Sequence, residues 1–308
     1  MHAPFDQQAL FTLPRRPLSR ARRCWVAFVS AIVLGAVGVA PAEAQFPGVD
    51  GRIAFVRQTS GATGHQQIFT MNADGSAQVN ISSSRTDDRY PSWSADGRRI
   101  VFQRCCKKQH TQIWIMSADG SGKSNLSQSA TDDIAPAFSP DGLRIAFTRN
   151  GALWVMNQDG SGKSRLTIPP NGGQDAAPSW SPNGTTIVFQ RYDPATGAIR
   201  VLKLTIATGT TTDLGVGFAP DSSPDGATIV FIADSAGQDH VWTMRGDGGS
   251  RTLVNATEFA LNASYSPTGT RILYDNGKGG TISTMTAAGT GVTHITGGFD
   301  SAWGRAPN

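Results

Sequence analysis

One phrase recurs along most of this chain and limits what it can fold into. In full it reads Asp-x-x-Pro-x-Trp-Ser-Pro-Asp-Gly, an alternating apolar strand, a loop, a second strand ending in Met, and Asp-Gly-Ser-Gly. Clear copies are Pro91 to Gly97 followed by Ile100-Val101-Phe102, Pro136 to Gly142 followed by Ile145-Ala146-Phe147, and Pro178 to Gly184 followed by Ile187-Val188-Phe189. Weaker copies centre on Asp225-Gly226 with Ile229-Val230-Phe231 and on Thr268-Gly269 with Ile272-Leu273-Tyr274. Aligned on the residue before glycine, the copies fall at 50, 96, 141, 183, 225 and 268, a period of 42 to 46 residues. Six copies at that spacing mean a propeller or a solenoid.

Each copy reads as all-β. In Ser139-Pro140-Asp141-Gly142, proline presets φ, aspartate bonds to nearby backbone, and glycine takes the left-handed position that closes a hairpin. The flanking Ile-x-Phe and Ile-Trp-Ile-Met segments are β-branched and aromatic, and of strand length. Asp-Gly-Ser-Gly at 119–122 and 159–162 supplies the next turn. Four short strands per copy make a propeller blade.

The ends of the chain decide closure. The copy at Asp50-Gly51 lacks a preceding strand, and Asp300-Ser301-Ala302-Trp303 is that strand without the rest. The expected fold is therefore an all-β, six-bladed β-propeller closed by the C-terminal strand completing blade one. A solenoid needs no such split copy, and its capping repeats would be polar and atypical.

The phrase Trp-Ser-Pro-Asp-Gly, Ile-x-Phe, Ile-Trp-x-Met-x-x-Asp-Gly-Ser-Gly and Leu-Thr resembles the repeat of TolB-like β-propellers over residues 46–304. Members of that family are periplasmic or secreted, and the name-giving one uses its propeller to hold the lipoprotein Pal. That member also carries an α/β domain before the propeller, whereas here only Gln45 to Val49 separate the leader from blade one. Similar repeats precede the hydrolase domain of prolyl-oligopeptidase-type peptidases, a domain for which this sequence has no counterpart before Asn308. The expectation is thus a stand-alone propeller, and the missing α/β domain argues against a true Tol role.

The N-terminus implies export. Arg15, Arg16, Arg20, Arg22 and Arg23 precede an uncharged run from Cys24 to Ala40, and Ala42-Glu43-Ala44 has the small-x-small form of a cleavage site. Residues 1–44 read as a signal peptide and 45–308 as the propeller; an uncleaved anchor and a later start are the alternatives. Arg15-Arg16 suggests a twin-arginine signal, but Pro17-Leu18 fits that pattern poorly.

Removing residues 1–44 takes five Arg, one Asp and one Glu, so 27 − 5 = 22 basic and 23 − 2 = 21 acidic residues remain, a net of +1. The sequence pI of about 9.1 is therefore mostly leader. It gives no ground for nucleic-acid binding. No later apolar run is long enough to span a bilayer. Cys105 and Cys106 are the only thiols beyond Cys24, and being adjacent they could bridge only through a strained turn.

Catalytic motifs are sparse. Gly122-Lys123-Ser124 and Gly162-Lys163-Ser164 lack the earlier glycine of a phosphate loop, having Ser117 and Asn157 there, and neither opens a helix. No Gly-x-Ser-x-Gly elbow occurs. His65 and His110 hold equivalent loop positions, each six residues before a strand-end Met, but no full metal-ligand set accompanies them. A metal-dependent hydrolase or lyase using those histidines is the rival to a non-catalytic binding scaffold.

The most informative constellation lies where each blade's first strand begins, at one mouth of the channel. Five residues before the strand aromatic, blades two to four carry Asp88, Asp133 and Asp175, while blades five, six and one carry Gly217, Ala260 and Gly298. Asp87 and Asp132 deepen the acidic side; Arg85 and Arg89 offset it; Phe218, Phe259 and Phe299, with Asp300, stand on the other side. The expectation is a mouth acidic on one half and aromatic on the other, seating an envelope protein, a peptide or a glycan. The bland alternative is that the aspartates cap turns and the phenylalanines pack between blades. Clustered acids could also hold calcium, although no complete oxygen cage is evident; no other cofactor is expected.

Overall fold

Proline at the fourth position of Asp-x-x-Pro removes a ladder donor, so the strand carrying it belongs at a sheet edge. In the computed structural model that strand is the innermost of its blade. Residues 48–59, 64–106, 109–255, 257–277 and 280–307 are described, all within one compact unit. The leader assigned to residues 1–44 lies outside them.

The described residues form six four-stranded antiparallel sheets. Blade one consists of Phe299–Arg305 (β24), Asp50–Gln58 (β1), Gln66–Met71 (β2) and Val79–Asn80 (β3). Blade two is Asp87–Trp93 (β4), Arg99–Cys106 (β5), Gln109–Ser117 (β6) and Ser124–Asn125 (β7). Blade three is Asp133–Phe138 (β8), Arg144–Arg149 (β9), Ala152–Asn157 (β10) and Ser164–Arg165 (β11). Blade four is Gln174–Trp180 (β12), Thr186–Tyr192 (β13), Ile199–Thr205 (β14) and Thr210–Val216 (β15). Blade five is Phe218–Ser222 (β16), Thr228–Ser235 (β17), Gln238–Arg245 (β18) and Thr252–Asn255 (β19). Blade six is Ala260–Tyr265 (β20), Arg271–Asn276 (β21), Thr281–Thr286 (β22) and Thr293–Gly297 (β23).

Consecutive inner strands touch all the way round, β24 to β4, β8, β12, β16, β20 and back to β24. The six-bladed, C-terminally closed propeller expected from the repeat is the fold observed. Ile53 pairs with Trp303 and Ala54 with Ala302 at the closing seam.

The repeated turn does what its residues dictate. Ser139 Oγ donates to Asp141 Oδ1, the Leu143 amide donates to the same oxygen, and Gly142 sits at φ 67°. The second strand of each blade then buries its Ile and aromatic, as with Ile100 and Phe102 or Ile145 and Phe147, all 0% exposed. Core packing runs between blades: Phe138 of blade three shares a cluster with Ile187 and Phe189 of blade four.

Every inner strand breaks register, β24 at two places and the others at one, for example between Arg89 and Ser92 and between Ile134 and Ala137. Tyr90, Ala135, Ala177, Ala219 and Asp300 occupy that bulge with φ between 47° and 53°. A side chain from the preceding blade's second strand reaches it: Gln103 Oε1 accepts the Ala135 amide and Gln190 Oε1 the Ala219 amide, both at 3.0 Å. These glutamines stitch neighbouring blades at the channel wall. Cys105 is an exposed free thiol, and the side chain of Cys106 is outside the described set.

Candidate functional site

All six inner strands run in the same direction round the ring, so the residues that open them share one end of the channel. Asp87, Asp88, Asp132, Asp133, Asp175, Phe218, Phe259, Phe299 and Asp300 all belong to that end. Their environments differ sharply.

Asp88, Asp133 and Asp175 are completely buried. Each grips an arginine of its own blade's second strand with both oxygens: Arg104 at 2.6 and 2.8 Å, Arg149 at 2.6 and 2.7 Å, Arg191 at 2.5 and 2.8 Å. Each guanidinium also lies over an aromatic face, Arg104 being 4.6 Å from the Trp114 centroid and Arg149 5.1 Å from that of Trp154. The reading of these three aspartates as partner contacts is corrected: each is fully buried in a fork-on-fork ion pair whose arginine stacks on a ring, which makes a structural clamp. Simple turn capping by these aspartates, the bland alternative, is not what the structure shows either.

Where the aspartate is missing, the chain comes closer. A Cβ on Gly217 would meet the Phe231 ring at 2.7 Å and one on Gly298 the Phe55 ring at 2.8 Å, and both glycines have positive φ, 148° and 153°. Only glycine fits those two entries.

Asp87 and Asp132 do present carboxylates to solvent, their side chains being 44% and 64% exposed. Each stands beside a histidine of the preceding blade, His65 at 3.4 Å and His110 at 3.7 Å. Each also accepts a backbone amide from that blade, of Gln66 at 2.9 Å and Thr111 at 2.6 Å. The two histidines therefore serve separate seams. Among the described residues no three His, Cys, Asp or Glu side chains converge on a metal position. Phe218, Phe259 and Phe299 are half-buried, and Arg89 from blade two stacks over Phe299 at 5.8 Å.

Asp300 is different again. The residue is half-buried, but its Oδ2 is sealed from solvent without a hydrogen-bond partner, as is Asn262 Oδ1 nearby. Burial pushes its carboxyl up to about 7, Arg89 drawing it down and Asp275 adding to the rise. Asp275, buried and bonded by Ser301 Oγ at 2.5 Å, is pushed by burial up to about 6. Burial also raises Tyr90, the remaining titratable neighbour.

An unfolded chain releases these protons near 3.8, so between about pH 4 and 7 the folded state holds more protons than the unfolded one. Stability is then greatest at the acid side of that window and falls as pH rises through it. Asp300→Asn is expected to flatten this slope and to stabilise the protein by about 1–2 kcal/mol at pH 8, measured by denaturant titration across pH. A slope unchanged by the substitution would remove Asp300 as its source.

The fold and this mouth define a class: a six-bladed propeller with repeated Ser-Pro-Asp-Gly turns and a C-terminal closing strand. A family model of the TolB beta propeller domain matches residues 37–209, and the chain belongs to that family. A comparison with curated proteins finds no match. Among solved structures, TolB from Acinetobacter baumannii is similar over 94% of this chain and 74% of its own, with TM-score 0.70 and 20% identity. A chain of the nidogen/laminin complex is similar over 83% and 97%, with TM-score 0.65 and 10% identity. Oligogalacturonate lyase from Vibrio parahaemolyticus is similar over 68% and 69%, with TM-score 0.54 and 12% identity. Identities this low establish the fold alone. Among the described residues no helix is long and apolar enough to cross a membrane.

Proposed function

We propose that this chain is a non-catalytic binding scaffold, exported to the periplasm or medium, that presents its channel mouth to an envelope protein or peptide. Propellers of the TolB type commonly bind proteins, and the structural likeness to a chain of the nidogen/laminin complex is consistent with that use of the fold. The observation that carries the reading is the mouth itself. Two exposed carboxylates, Asp87 and Asp132, stand at successive seams with a histidine beside each, and three half-buried phenylalanines rim the opposite blades.

That arrangement suits a partner with a basic group on one side and an apolar one on the other, the aromatic anchors supplying area and the acids register. Capture of a crosslinked envelope partner by the intact protein and by an Asp87→Ala, Asp132→Ala, Phe218→Ala variant tests this. Affinity for that partner should fall at least about tenfold, since interface energy concentrates in a few central residues. Unchanged affinity in a normally folded variant would rule out the mouth.

A further inference from the structure

Blade six departs from its five siblings at one place. In blades one to five an arginine guanidinium lies over the aromatic of the second strand: Arg57, Arg104, Arg149, Arg191 and Arg251, at 4.5–5.5 Å from the rings of Phe55, Phe102, Phe147, Phe189 and Phe231. In blade six the second-strand aromatic is Tyr274, and Asn276 stands where the arginine of blades one to four would be. Across β21, β22 and β23, Tyr274 pairs with Ser283 and Ser283 with His294, so a Tyr–Ser pair stands where the other blades pair Phe with Phe, Trp or Leu.

The hydrogen bonds of that row have a direction. Tyr274 Oη donates to Glu258 Oε2 at 2.6 Å, and Asn276 Nδ2 donates to the same oxygen at 2.9 Å. Ser283 Oγ lies 2.9 Å from His294 Nδ1, a hydrogen bond that holds the ring from behind. His294 Nε2 faces the other oxygen of the same glutamate, Oε1, at 3.4 Å.

With the ring hydrogen on Nδ1, toward Ser283, two acceptors face each other, each fixed from behind by its own partners. Two ligands held about 2.1 Å from a tetrahedral ion stand about 3.4 Å apart. A ligating histidine whose other nitrogen is hydrogen-bonded, beside a ligating carboxylate itself hydrogen-bonded, is the usual outer support of a metal site. His294 and Glu258 are 56% and 18% exposed, so an ion can reach both.

We propose that Glu258 Oε1 and His294 Nε2 form a seat for a divalent transition-metal ion of zinc type, with solvent in its remaining positions. The ion ties β23, at the outer edge of blade six, to the segment that leads into β20 at its inner edge. Nitrogen and carboxylate oxygen at this spacing favour zinc or cobalt over calcium, which takes oxygen ligands in larger number.

The test is titration of the chelator-treated protein with Co²⁺ alone, read by visible absorption, then displacement by Zn²⁺. One saturable site per chain with a tetrahedral cobalt spectrum is expected, weakened at least about tenfold by His294→Ala, by Glu258→Gln and by Ser283→Ala, and untouched by His110→Ala. Absence of saturable binding, or equal affinity in the His294 and Glu258 variants, overturns the proposal. Should those variants unfold, anomalous scattering from crystals of the intact protein soaked in Zn²⁺ decides. A peak between the two atoms supports the seat, and peaks found only elsewhere, or none, overturn it.

Discussion

Deleting residues 299–308 should leave a chain that does not fold cooperatively. β24 is the only inner strand that blade one has, and its Ala302 and Trp303 are 2% and 3% exposed. Without it the ladder of β1 from Ile53 to Val56 loses its partner, and Ile53, Ala54 and Val56, now fully buried, lie open at the channel. Blade two suffers as well, since Gly304 lets β24 press against Trp93 so closely that a Cβ would sit 2.6 Å from the ring. Loss of a strand on both sides of a seam exceeds the whole stability of an ordinary domain, about 5–15 kcal/mol. Thermal unfolding followed by near-ultraviolet circular dichroism should show no transition in the deletion variant. A transition within a few degrees of the intact protein would mean that the ring does not depend on its closing strand.

The second large effect is expected at a clamp. Asp133→Ala strands the Arg149 guanidinium, whose side chain is only 15% exposed, without its counter-charge. Removing one partner of a buried pair costs about 3–5 kcal/mol, which lowers the melting temperature by roughly 6–20 °C in a protein of this size. The neighbouring Asp132→Ala, at a 64% exposed carboxylate, should cost about 1 kcal/mol or less. Replacing both clamp partners together, Asp133→Leu with Arg149→Met, should recover most of the loss, because the penalty is the unpaired charge and not the missing pair. A melting temperature unmoved by Asp133→Ala would show that the pair is not desolvated.

The contrast between these adjacent aspartates marks where sequence reading stopped. Period, turn chemistry and the split copy at Asp50 and Asp300 led to six blades and their closure, because each is local or follows from the repeat. The clamp is not local: sixteen residues separate Asp88 from Arg104, Asp133 from Arg149 and Asp175 from Arg191. Its signal was nevertheless present, for blades five and six, which lack the aspartate, also lack the arginine, having Ala233 and Asn276 there. Arg57 survives opposite Gly298 by bonding instead to Thr296 and Gln78.

Blade six was harder still. Glu258, Tyr274, Ser283 and His294 are scattered over three strands and a loop, and only the break from Phe-x-Arg to Tyr-x-Asn hints that the row has turned polar. Asp300 looked like a rim acid, but a left-handed backbone at φ 49° turns its carboxyl into a sealed position that sequence alone does not reveal.

The central claim is that partners meet this propeller at the mouth where the inner strands begin. Photocrosslinking from single positions in cells tests it most directly, with the probe placed at Asp132 or Phe218 on the mouth and at Leu143, 56% exposed on the opposite face. The expected result is one discrete crosslinked envelope protein from both mouth positions and none from Leu143. Crosslinks of equal yield from Leu143, or none from the mouth, would contradict the claim.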